Sequence, residues 1–145
     1  TRAGRIDEAI ARYERLIETC GRSKEIALAV CNLSLLYIEK HRRTNDARWV
    51  KDAAAVLDFG KLHWPKHPRI RLNRGALMMG FEAWNEAVIE FSLCLAEHPK
   101  FTEAWRNRAR CWGRLSLPHL AQRDANEAEK LDGVPGVLRF LNGSQ

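Results

Sequence analysis

Three seven-residue stretches of this chain superimpose: CNLSLLY (31–37), LNRGALM (72–78) and RNRARCW (106–112). Each has asparagine second, a small residue fourth (Ser34, Gly75, Ala109) and a large residue seventh (Tyr37, Met78, Trp112). The last two copies begin 34 residues apart and the first two 41 apart. A second set aligns without gaps: DEAIARYERLIETCG (7–21), KDAAAVLDFGKLHWP (51–65), NEAVIEFSLCLAEHP (85–99) and HLAQRDANEAEKLDG (119–133). All four carry alanine third, at Ala9, Ala53, Ala87 and Ala121, and close on Gly21, Pro65, Pro99 and Gly133. Glycine and proline in that place stop helices. Self-similarity at such a period constrains a chain more than any composition does. One unit cannot bury its own apolar face, so units must stack on their neighbours.

The local pattern inside each unit is helical. Phe101, Trp105, Ala109 and Trp112 recur at helical spacing, so a helix collects them on one face. The alternating arginines of AWRNRARCW suggest a strand instead. A strand, however, exposes Trp112 among the arginines, and the helix sorts the residues better. On a helix Arg106, Arg110 and Arg114 form one stripe at i, i+4 and i+8. Arg108 then faces the junction between repeats, its aliphatic stem over apolar surface and its charge in water.

The 34-residue unit, the small residues in both half-units and the closing proline resemble the tetratricopeptide repeat (TPR) family. NRGALMMGFEAWNEAVIEFSLCLAEHP (73–99) is the clearest copy. The resemblance implies an all-α, right-handed superhelical solenoid of antiparallel helix pairs, about three and a half units long. Residues 4–21 are the second helix of a partial first repeat, as in a chain cut from a larger array. The absence of an initiating methionine points the same way. Residues 24–65 are the second repeat, with an insertion near 41–49. Residues 66–99 and 100–133 are the third and fourth, and 134–145 a tail with at most one turn of helix. The insertion, around HRRTNDARW, is expected either to extend both helices of its repeat by a turn or to form a plain basic loop. Thr44 or Asn45 is expected to cap the second of them, and Ser23 the first.

In such arrays one face of each first helix lines a concave groove that holds an extended peptide. Asn32, Asn73 and Asn107 would stack there as a ladder. A carboxamide offers one acceptor and two donor hydrogens, enough to hold a peptide backbone of any sequence. The neighbouring groove positions change character along the chain. They are Leu28, Cys31, Leu35 and Ile38, then Arg69, Leu72, Ala76 and Met79, then Arg106, Arg110 and Arg114. The expected peptide-binding set is therefore Asn32, Asn73, Asn107, Arg69, Arg106, Arg110, Arg114, Leu35 and Leu72. The expected partner is a protein or peptide segment with apolar and acidic character. The lysines with which chaperone-binding members clamp a terminal carboxylate are missing from these stripes.

Charge leaves a second class open. The net charge of +6 is concentrated: residues 41–75 carry +6, residues 76–100 carry −3. A basic helical repeat can bind RNA, as pentatricopeptide repeats do, and open ends of a stack can self-associate. The acidic 76–100 segment and the apolar 28–39 face argue for protein over RNA, which needs cations along every repeat.

Nothing in the sequence carries catalysis. No phosphate-binding glycine loop, nucleophile elbow or HExxH occurs. His63 and His67 are separated by Pro65, and Cys94 occupies a small-residue packing place, so no metal or other cofactor is expected. Cys20, Cys31, Cys94 and Cys111 form no CxxC pair and read as reduced thiols of a cytoplasmic or similarly reducing compartment. Mean hydropathy is −0.40, with no apolar run long enough to span a bilayer.

Overall fold

The computed structural model describes residues 2–20 and 23–133, excepting the Cys20 side chain. The tail expected at 134–145 and the stop at Gly21 lie outside the described residues. Among the described residues seven helices follow one another: α1 (Arg2–Cys20), α2 (Lys24–Thr44), α3 (Ala47–His63), α4 (Pro68–Gly80), α5 (Trp84–Glu97), α6 (Thr102–Arg114) and α7 (Pro118–Asp132). No strand occurs among the described residues. The described residues form two compact units, divided after Arg74, within α4.

In the first unit α2 packs against both α1 and α3. Ile6 and Ile10 of α1 are buried with Ile26, Val30 and Leu33 of α2, Leu57 of α3 and Ile70 of α4. Polar rungs fix α1 against α2. Tyr13 accepts from Asn32 Nδ2 at 3.2 Å, Glu14 accepts from the Tyr37 hydroxyl, and Asp7 pairs with Lys40. Burial, then the adjacent Glu14 carboxylate, push the Tyr37 hydroxyl pKa up, so the phenol stays a donor. Its ring stacks on Trp49 of α3, with centroids 6.1 Å apart.

Helix lengths place the insertion mainly in α2, which has 21 residues against 13 each for α4 and α6, whereas α3 has 17 against 14 for α5 and 15 for α7. The caps differ from the sequence expectation. Asn45 adopts the left-handed conformation (φ 54°) and closes α2, its N–H reaching the His41 carbonyl. Asp46 caps α3, accepting from the Arg48 N–H at 3.0 Å. Helix α2 therefore runs through Thr44, further than a cap at Thr44 or Asn45 for the next helix allows. Ser23 stands at the cap position of α2 without a side-chain cap bond.

Small residues sit where helices approach most closely. Ala53, Ala87 and Ala104 have no exposed surface. A Cβ built on Gly60 would lie 3.0 Å from Val30 and 3.1 Å from Ile70. On Gly75 it would lie 2.5 Å from the ring of fully buried Phe91, closer than a side chain can stand. Gly113, by contrast, faces open space. The two glycines should respond oppositely to alanine. Gly75→Ala should lower stability by about 1–3 kcal/mol through overpacking. Gly113→Ala should raise it by about 0.5–1 kcal/mol through helix propensity. Denaturant unfolding of both variants checks the pair.

Candidate functional site

Helix α2 turns a defined face to solvent. Leu28 is 56 % exposed and Leu35 51 % exposed, seven residues apart and hence on one side. Asn32, half-buried, lies between them and donates to Tyr13. Ile38 continues the strip half-buried, and Glu39 ends it, held by Arg42 and Arg43. Arg43 before all keeps the Glu39 carboxyl below its ordinary pKa.

Three residues expected on the groove are inside instead. Cys31 is fully buried, Leu72 is 3 % exposed and Asn73 is 5 % exposed. The Asn73 amide donates across to α2, to the Cys31 carbonyl at 3.4 Å and the Ser34 hydroxyl at 3.3 Å. Ser34 in turn donates to the Cys31 carbonyl at 2.7 Å. Asn73 thus joins α4 to α2, and its alignment with Asn32 and Asn107 does not make it equally accessible. Leu72 is packed inside rather than turned to solvent. Arg69 is half-buried, and its charge is felt at the Cys31 thiol.

The arginine stripe of α6 divides similarly. Arg106 pairs with Asp132 of α7. Arg114 lies over the Trp84 ring, 5.4 Å from its centroid. Arg110 is exposed and donates to Asn107 Oδ1 at 3.2 Å; among the described residues no carboxylate pairs with it. Asn107 is half-buried.

Arg108 stands at the repeat junction as expected, but its guanidinium is committed to protein partners rather than to water. It makes two parallel bonds to the buried Asp124 carboxylate, at 2.7 and 2.9 Å, and a third to the Ser92 hydroxyl at 3.1 Å. The Trp112 indole donates to the same carboxylate at 2.9 Å, and the Arg108 cation lies 5.0 Å from the Trp105 ring centroid. One cation therefore ties α5, α6 and α7 together, with bidentate geometry that only arginine offers. A sequence signal existed. Arg74 and Glu90 stand 34 residues upstream of Arg108 and Asp124, with the same separation, and Glu90 is also buried.

The cysteines sit in packing positions. Cys31, Cys94 and Cys111 are buried and unbridged. Burial pushes the Cys31 and Cys111 thiols up to about 11, the Arg69 charge opposing this at Cys31. Among the described residues no group of three His, Cys, Asp or Glu side chains could hold a metal ion. Nor is any described helix long and apolar enough to cross a membrane.

No protein-family model matches the chain, and no curated protein does. Solved structures do match. The chain is similar to TTC0263, a thermophilic TPR protein of Thermus thermophilus, with a TM-score of 0.81 and 18 % identity over 99 % of this chain and 74 % of that one. It is similar to a tetratricopeptide repeat protein from Parabacteroides merdae (TM-score 0.74, 17 % identity, 94 % and 51 % covered). It is also similar to MamA (TM-score 0.72, 12 % identity, 88 % and 69 % covered). At these identities the likeness establishes the fold, an all-α helical-repeat solenoid of the tetratricopeptide kind. The resemblance read from the 34-residue spacing holds at that level.

Two outcomes follow from the buried groups. Asp124→Asn should cost about 3 kcal/mol, since it leaves the Arg108 charge without its partner in a largely buried place. A fall of that size in unfolding free energy, read from a lower chemical midpoint at unchanged slope, is the check. The folded chain should also leave Cys31 and Cys111 unalkylated by iodoacetamide at about pH 8, when mapped by mass spectrometry. Unfolded thiols, with an ordinary value of 9.0, release their protons first, whereas the folded ones hold theirs to about 11. Their contribution to stability is therefore full below about pH 9 and is lost as pH rises toward 11.

Proposed function

We propose that this chain is a protein-interaction scaffold without catalytic activity of its own, holding an extended partner segment on the exposed faces of its first helices. The single observation that carries the reading is the α2 strip, where two leucines a heptad apart stand in solvent on either side of Asn32. Covering one leucine side chain fully is worth about 1.5–3 kcal/mol, and the two face the same way. The second determinant is Arg110, with Asn107 beside it and Arg114 one turn on. A carboxylate meeting Arg110 would gain a charge-assisted bond. Leu72, Asn73 and Arg106 leave the expected binding set, the first two because they are buried and the third because Asp132 already occupies it. The α2 strip would accordingly take apolar side chains of a partner, and the α6 stripe acidic ones. The likeness to TPR structures supports a binding role in general.

Selection of a random peptide library on the immobilised chain tests this, followed by affinity measurement on a selected peptide. The selected sequences should combine apolar and acidic residues. Leu35→Asp and Arg110→Glu should each weaken binding about tenfold or more, or ~1.4 kcal/mol. Wild-type affinity in both variants would remove the assignment. Tight, salt-sensitive binding of an RNA oligomer, with no peptide enriched, would favour the nucleic-acid class instead.

A further inference from the structure

Between Asp58 and Glu82 the chain contains no acidic residue, yet it carries Lys61, Lys66, Arg69, Arg71 and Arg74. The structure folds the start of this run into a pocket. Helix α3 ends at His63, and the Trp64 N–H returns to the Gly60 carbonyl at 2.8 Å. Pro65 and Lys66 then make a tight turn, the His67 N–H reaching the Trp64 carbonyl at 3.0 Å. Arg71 Nε donates to the Pro65 carbonyl at 2.8 Å and fixes the turn against the first turn of α4. The Trp64 ring is wedged against the core residues Ala27, Cys31 and Ile70, with Phe59 and His63 edge-on to it.

Trp64 and Pro65 give the resulting cavity of about 460 Å³ its apolar wall, and Lys24, Lys66 and His67 line the rest. Among the described residues no carboxylate lines it. Its size is that of a ligand pocket. Its chemistry is an apolar seat bordered by two lysine cations and an imidazole. That combination suits one large apolar side chain whose flanking groups are negative, since the cations repel a basic occupant. We infer that this pocket, at the α3–α4 turn, is a second docking site, and that its occupant is an acidic peptide segment seated by one aromatic or large aliphatic side chain. A nucleic acid is disfavoured because the cations gather at one turn, whereas a strand needs them spaced along its phosphates. The following residues, 76–100, carry −3.

Through Lys24 the pocket lies one helical turn from Leu28, yet none of its lining belongs to the strip from Leu28 to Ile38. The experiment keeps the two apart. The probe is a short fluorescein-labelled peptide with one central phenylalanine flanked on both sides by aspartates, and the readout is fluorescence anisotropy. Wild-type chain should bind it. Lys66→Glu and Lys24→Glu, both at exposed surface positions, should each weaken binding about tenfold. Serine in place of the phenylalanine should weaken it as much. Leu35→Asp should leave it unchanged. Circular dichroism of both lysine variants should match wild type. Absence of binding up to ~1 mM, binding as tight as wild type by the charge-reversed variants, or loss with Leu35→Asp alone would each overturn the assignment. So would an oligouridylate that binds more tightly than the peptide and is lost in Lys66→Glu, which would give the pocket to RNA.

Discussion

Helices in both units approach as closely as they do because side chains are missing at the crossings. Phe91 packs its ring where a Cβ on Gly75 would stand, and Val30 and Ile70 close on Gly60. Ala53, Ala87 and Ala104 repeat the device with a single methyl. Interiors packed at this density tolerate little change in volume. Everything else depends on that closeness, because it decides which neighbouring side chains face each other and which are left outside. The terminal copies show the dependence. Ala9 and Ala121 hold the same alignment position as Ala53 and Ala87 but are only half-buried.

Close approach also turns polar residues into joints. Asn73 binds α4 to α2 through Cys31 and Ser34, and Arg108 binds three helices through Asp124 and Ser92. Such groups are costly to bury alone and useful once fully bonded. Their presence inside leaves a smaller set in solvent. On α2 it is Leu28 and Leu35 with half-buried Asn32 between them, and on α6 it is Arg110 and Arg114 with half-buried Asn107. The pocket at Trp64 adds a different chemistry, in which the apolar seat and its cations converge on one side chain.

The architecture was legible because its signal is periodic. Ala53, Ala87, Gly75 and the stopping prolines recur at fixed intervals, and a period survives the loss of individual residues. Accessibility was not legible, because alignment assigns a register and not an environment. Asn32, Asn73 and Asn107 share one register, yet the first is bonded to α1, the second is sealed under α2 and the third lies beside Arg110. Arg108 reads as a surface charge until its partner sixteen residues on is seen to be buried. Ends of helices were legible to within a turn. The choice of Asp46 over Thr44 as cap depended on Asn45 taking a left-handed conformation, which no pattern of apolar residues encodes. The Trp64 pocket was equally hidden, since its lining joins the start of the second repeat, Lys24, to the turn between the second and third, Trp64 to His67.

The central claim is that burial divides these aligned residues into joints and recognition surface. Thermal unfolding of four single variants under identical conditions tests it most directly. Asn73→Ala and Arg108→Met should each lower Tm by several degrees, in line with ~1–3 kcal/mol for lost buried bonds. Leu35→Ser and Arg110→Gln should leave Tm within about a degree, as exposed positions do. The opposite ranking, with Asn73 and Arg108 dispensable and Leu35 or Arg110 required for folding, would contradict the account.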